Sequence, residues 1–138
     1  MVGPTEGAAL IERLDLAPHP EGGWFRRTWA SDITRDGRPI ASAILYLLLA
    51  GECSAPHRID ATEIWHFYAG APLELTIEPS PGSLDVVVLG PDVAAGQEPQ
   101  VVIDAGVWQS ARPTGDYALV GATVSPGFTF EGFELRRT

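Results

Sequence analysis

The sequence predicts an all-β fold, a sandwich or barrel led by one short helix, and three observations carry that prediction. Short runs of β-forming residues recur along the chain, separated by turn chemistry at Asp36-Gly37, Pro81-Gly82, Gly90-Pro91, Asp104 to Gly106 and Pro126-Gly127. From Pro72 to Glu78 the pattern alternates, with Leu73, Leu75 and Ile77 on one face and Glu74, Thr76 and Glu78 on the other. Beyond residue 16 no segment has a convincing helical period.

Residues 5–16 form the predicted helix. Thr5 can cap it, Glu6 suits the positive first turn, and Leu10, Ile11 and Leu14 share a face that would pack on whatever follows. It should end before Pro18 and Pro20. Strands are expected near 24–30, 40–49, 54–60, 63–69, 72–78, 84–89, 99–103, 106–111, 117–124 and 129–136. About ten short strands at this spacing fit a sandwich or barrel. Ile44 to Leu49 and Tyr117 to Val124 are nearly continuous apolar runs, as expected of strands covered on one face by the core and on the other by a partner layer. They are therefore the expected homodimer contact. The Ala- and Gly-rich stretch from Pro91 to Pro99 reads as a surface loop. Without a repeat, a low-complexity tract or a composition break, the chain is read as one domain over 1–138, with the barrel at 24–136.

Composition narrows the function classes. The charge is −9, from 18 acidic against 9 basic residues, with no run of Lys or Arg to neutralise a phosphate backbone, so nucleic acid is not an expected partner. The longest apolar run, Ile40 to Ala50, is about half the length needed to span a bilayer, and no membrane association is expected. Cys53 is the sole cysteine, which precludes an internal disulfide and suits a reducing cytoplasm. The first residues lack the basic and apolar regions of a secretory signal.

The chemistry concentrates in Gly51-Glu-Cys-Ser-Ala-Pro-His57-Arg-Ile59-Asp-Ala-Thr-Glu63-Ile-Trp-His-Phe-Tyr-Ala-Gly70. Residues two apart on a strand share a face, so His57 and Ile59 would look into a barrel, with Glu63, Trp65 and Phe67 looking the same way after a turn. The spacing resembles the first motif of the cupins, in which a second His normally stands where this chain has Ile59. Asp104-Ala-Gly106-Val-Trp-Gln109 resembles the second motif, with Gln109 in place of its usual metal-binding His. Pro18-His19-Pro20-Glu21-Gly22-Gly23 and Glu63-Ile-Trp-His-Phe-Tyr68 are similar to segments of a group of small single-domain cupins of largely unassigned function. The resemblance implies a jelly-roll barrel, a double-stranded β-helix that binds a small molecule, often as a homodimer. Metal-poor relatives in the wider superfamily include dTDP-sugar epimerases and ketoisomerases. In most cupins His, His, Glu and His hold one divalent metal. Here that set reduces to His57, Glu63 and the neutral amide of Gln109, which implies a weak metal site.

Each candidate residue carries a functional and a structural reading. His57 is the expected general base, with Glu63 pairing with it to orient the ring or staying protonated as an acid. Tyr46, on the face of Ile44 and Leu48, is the expected proton donor from the opposite side, or a core residue. Trp65 and Phe67 would stack on a flat ligand or fill the core, and Gln109 would face them. Glu21 would reach the ligand from a loop closing one barrel mouth, the two glycines beside it allowing a tight path. Arg58, and less so Arg26, would hold a carboxylate or phosphate. His66 joins the substrate-binding set only if a bulge turns it inward; otherwise it lies with Tyr68 on the outer face. These readings favour an epimerase or isomerase acting on a carbohydrate-like or oxo-acid substrate. A ligand-binding cupin without catalysis and a metal-dependent oxygenase are the alternatives.

Overall fold

The computed structural model describes residues 6–136. It comprises helix α1 (Glu6–Arg13) and thirteen strands: β1 (Ala17–Pro18), β2 (Trp24–Ala30), β3 (Thr34–Arg35), β4 (Arg38–Pro39), β5 (Ser42–Leu49), β6 (Ser54–Ile59), β7 (Thr62–Gly70), β8 (Leu73–Ser80), β9 (Ser83–Leu89), β10 (Gln100–Ile103), β11 (Trp108–Pro113), β12 (Tyr117–Ser125) and β13 (Phe133–Leu135). A six-stranded sheet runs β1-β2-β5-β12-β7-β10 and a five-stranded sheet runs β13-β6-β11-β8-β9, with antiparallel pairing throughout both. Pairs such as β5·β12 and β6·β11, far apart in sequence, give the crossed connectivity of a jelly roll. The fold is the jelly-roll barrel the sequence leads one to expect. No helix among the described residues is long and apolar enough to cross a membrane.

Helix α1 is shorter than its apolar pattern suggests. Asp15 adopts a left-handed conformation (φ 55°), the Leu16 amide reaches back to the Ile11 carbonyl and the Asp15 amide to Glu12. This is a Schellman closure, which ends the helix before the prolines are met. The expected cap, Thr5, lies outside the described residues. The hairpin β3·β4 is an addition, closed by Asp36 and Gly37 at φ 54° and 78°. The last expected strand, 129–136, contracts to Phe133–Leu135 because a turn from Thr129 to Gly132 breaks it.

The barrel is filled at one end and open at the other. Tyr46, Leu48, Trp65, Leu73, Leu75 and Val120, drawn from both sheets, pack the closed end. Toward the other end the inward positions become small or short: Ser42, Ala122 and Val124. Space remains there because nothing large fills it. The outer faces of β5 and β12 are partly covered by α1, which sits so close that a Cβ on Gly7 would lie 2.7 Å from the Tyr117 Cβ. Leu47, on that outer side, is fully buried. At Leu49 and Tyr117 the chain's own helix covers this outer face.

Two segments close over the open end. Residues 128–133 bring Phe128, Phe130 and Phe133 into mutual edge contacts. Their strand is fastened outside by a bidentate Arg136–Glu78 ion pair and by Arg58, whose Nε and Nη2 meet one oxygen of Glu134, with the two guanidiniums over the Trp108 ring at 4.4 and 4.5 Å. The other segment is the loop from His19 to Gly23. Gly22 (φ 107°) has no room for a side chain, because a Cβ would strike the Cys53 carbonyl oxygen. Gly22→Ala should therefore cost about 2 kcal/mol or more in urea unfolding. Gly37→Ala, at φ 78° with open space around it, should cost only about 1 kcal/mol. Equal losses at the two sites would mean that the loop's close approach to β6 is not a constraint.

Candidate functional site

The open end encloses a cavity of about 310 Å³ whose polar lining gathers His19, Glu21, His57 and Glu63. His57 and Ile59 point inward from β6, two residues apart as the period of a strand requires, and Glu63 points inward from β7. Glu21 arrives from the loop. Its carbonyl accepts from the Ala55 amide at 2.7 Å, and the Gly22 carbonyl accepts from the Tyr46 hydroxyl. The loop is thus bound to β6 and β5 on either side of its acid.

Glu21 sits between two imidazoles. Its Oε1 lies 3.3 Å from His19 Nδ1 and its Oε2 3.3 Å from His57 Nε2, and the Ser54 hydroxyl donates to Oε2. His57 Nδ1 donates to the Ala55 carbonyl at 2.7 Å, which leaves the Nε2 lone pair facing Glu21. The Glu21 amide donates to His19 Nδ1, so His19 carries its proton on Nε2 when neutral. Glu63 is held separately. Gln109 Nε2 donates to Glu63 Oε1 at 2.8 Å, and Gln109 Oε1 accepts from Trp65 Nε1 at 2.8 Å.

Burial sets the protonation of this group. It pushes the Glu21 carboxyl up to about 7 despite the Ser54 bond, and the Glu63 carboxyl up to about 7, with Glu21 adding to the rise. Burial pushes His19 down to about 4, helped by His57, and lowers His57 against the opposing pull of Glu63 and Ala55. At neutral pH both imidazoles are neutral and both carboxyls are poised to gain or lose a proton.

The sequence-predicted residues separate accordingly. His57, Glu63 and Glu21 meet at the cavity, but the close partner of His57 is Glu21, whereas Glu63 pairs with Gln109. Tyr46 does not line the cavity; it is buried in the core, it anchors the Gly22 carbonyl, and burial raises its hydroxyl above the usual phenol range. Trp65 and Phe67 pack in or against the core, and Gln109 is 2% exposed behind Glu63. Arg58 is on the outside with Glu134 and Trp108, and Arg26 donates to the Leu14 carbonyl. The arginine that lines the cavity is Arg27. Sequence alternation alone could not choose between them, since either parity places one arginine inward. His66 bonds Thr123 and Gln100 and stacks on Tyr68; the irregularity in β7·β12 falls beyond it, around Tyr68, and does not turn it inward. His19, Ser54, Phe128 and Phe130 were missed. The signal for His19 was its place two residues before Glu21, and Phe128 stands next to the marked turn at Pro126-Gly127.

The same arrangement tests the metal expectation. Gln109 has its amide engaged at both ends, and Ile59 contributes an aliphatic wall where a second imidazole would be needed. Among the described residues no group of three His, Cys, Asp or Glu is disposed to hold a metal ion. The donor set of a metal cupin does not fit here, although cupins often bind divalent metals.

The model of the Cupin_5 family, described as cupin superfamily (DUF985), matches residues 8–136. The chain belongs to this family. The cupin is similar in structure to a Shewanella oneidensis protein, at 39% identity and TM-score 0.89, over 93% of this chain and 82% of that one. A hypothetical protein from Leishmania major shares 28% identity at TM-score 0.86, over 93% and 85% of the two chains. Oxalate decarboxylase from Bacillus subtilis matches at 12% identity and TM-score 0.66, over 86% of this cupin and 29% of the enzyme, which is a likeness of fold. No curated protein matches. Membership of the superfamily supports binding of a small molecule in the cavity.

Glu63 supplies a test of the cluster's electrostatics. Its carboxyl holds a proton more tightly folded, at about 7, than at its ordinary value of 4.5, so stability falls as pH rises through that window. Glu63→Gln removes the titration and keeps an oxygen for Gln109 Nε2. Relative to the unmodified protein, the variant should gain stability from pH 4.5 to 7, by on the order of 3 kcal/mol at most, and level off above. Urea titrations across the window measure this, and a pH-independent difference would mean that Glu63 ionises as an ordinary carboxylate.

Proposed function

We propose that the cavity carries out a proton-transfer isomerisation or epimerisation of a small carbonyl compound. The observation that carries the reading is the contact between His57 Nε2 and Glu21 Oε2 at 3.3 Å, both groups buried in the wall of an open cavity. Such a pair can take a proton from carbon when Glu21 is ionised, because the abstracted proton is then shared between the carboxylate and the imidazole lone pair.

In the proposed step the Glu21–His57 pair removes a proton from the carbon next to the carbonyl. The C–H electrons form the enol double bond while Glu63, protonated, gives its proton to the carbonyl oxygen. Where the first carbon bears a hydroxyl, return of the abstracted proton to the former carbonyl carbon, with the hydroxyl proton lost to Glu63, completes an isomerisation; return to the other face of the same carbon, with the enol proton given back to Glu63 as the carbonyl re-forms, completes an epimerisation. The balance closes without an oxidant or reductant. Tyr46 serves in this scheme as a positioning residue, through the loop that carries Glu21. His19 is fixed by the Glu21 amide, which donates to its Nδ1, and its ring walls the other oxygen of Glu21.

Deuterium incorporation from D2O into candidate carbonyl compounds, followed by proton NMR, tests the reading. Glu21→Gln and His57→Gln should each lower the exchange rate by about 100-fold or more while the circular dichroism spectrum is retained. Exchange at the unmodified rate in either variant would remove the pair from the mechanism. A ligand that binds and is recovered unlabelled and unchanged would instead favour a binding cupin without catalysis, which the same barrel can equally house.

A further inference from the structure

We infer that the cavity takes a small organic carboxylate with an apolar body, its carboxylate held at the mouth by Arg27. The assignment rests on the reading of this cavity as the reaction site, and it narrows the substrate to one of the two classes considered, the oxo-acids.

Three observations converge on it. The first is the position of Arg27, which lines the cavity and, like Arg13, Arg26 and Arg35 outside it, has no carboxylate partner among the described residues. Arg38, Arg58, Arg112 and Arg136 are matched to Asp60, Glu134, Glu74 and Glu78, all on the surface. Among the described residues no carboxylate lies within 4.0 Å of Arg27, whose Nη2 makes one long bond, 3.4 Å, to the Phe128 carbonyl. In a chain with 18 acidic and 9 basic residues, a guanidinium at a cavity mouth without an acid is a charge available to an incoming anion.

The second is the wall. Phe25, Ile44, Ile59, Val124, Phe128 and Phe130 supply its apolar surface, which exceeds the polar part of the lining. The hydroxyls of a sugar would lose their water against such a wall with few partners to replace it, whereas an alkyl or aryl chain gains by burial. The third is size: about 310 Å³ is at the low end for small-molecule sites, so a nucleotide-linked sugar would leave most of itself outside. The neutral state of the imidazoles and the raised carboxyls agree with this, since they leave Arg27 as the cavity's fixed charge.

The probes are 4-methyl-2-oxopentanoate, its uncharged methyl ester, D-glucose and inorganic phosphate, with binding read by isothermal titration calorimetry and exchange by NMR in D2O. The oxo-acid should bind at least about tenfold more tightly than the ester, and Arg27→Gln should remove that advantage while leaving the ester's affinity unchanged. Arg27 is exposed, so the variant should fold, which its unliganded melting temperature checks. Equal affinity for acid and ester, an undiminished acid affinity in Arg27→Gln, preference for glucose or phosphate, or no binding of the acid at millimolar concentration would each overturn the assignment. Failure of the proton-transfer reading looks different: the acid binds through Arg27, yet deuterium enters no faster than with His57→Gln. Exchange in the ester or in glucose, but not in the acid, would retain the chemistry and discard the carboxylate.

Discussion

The structure turns on one contact, a carboxyl group from a loop wedged between two imidazoles and shut away from water. Glu21 is not on the barrel; it is brought to the barrel by five residues whose backbone is bonded to β6 through the Ala55 amide and to β5 through the Tyr46 hydroxyl. The buried groups are partnered through one another, and among the described residues no buried side-chain nitrogen or oxygen is left without a hydrogen bond. Such a network holds only if each member keeps its place, because an unpaired polar group in that setting is costly. The demands on Gly22, Tyr46, Ser54 and Ala55 follow from the need to hold Glu21 where His57 can reach it.

The barrel supplies the reverse condition, a place that is not filled. Tyr46, Trp65, Leu73 and Leu75 consolidate the closed end, so stability does not depend on packing the other. Ser42 and Ala122 then leave room, and the phenylalanines of the C-terminal segment roof it. Burial at the closed end and vacancy at the open end come from the same alternating strands, differing only in side-chain size.

Much of the fold was legible in the sequence because turns and alternation are local. Asp36-Gly37 marked a turn that the structure contains, and the alternation from Pro72 and the glycine-bounded motif pointed to strands that it contains. The helix end escaped because Asp15 provided the left-handed closure without a glycine to announce it. The site was half legible. His57 and Glu63 stood in a spaced motif and Glu21 in a distinctive loop, but their pairing depended on a loop folding back over 34 residues of sequence, from position 21 to beside Ala55. Facing was the least legible property. Arg26 and Arg27 are equivalent until the register of β2 against β5 is known, with Phe25 opposite Tyr46 and Arg27 opposite Ile44.

Gln109 carries a consequence for the history open to this site. Its amide oxygen receives the Trp65 indole and its nitrogen supplies Glu63, which are two tasks for two ends. A histidine at 109 has two ring nitrogens, and giving one to a metal would abandon either the indole or the carboxyl. A histidine at 59 would join His57 and Glu63 in a set of two imidazoles and a carboxylate, but would set its ring into the apolar wall. A change at 109 therefore disturbs a working arrangement, whereas a change at 59 costs apolar surface alone.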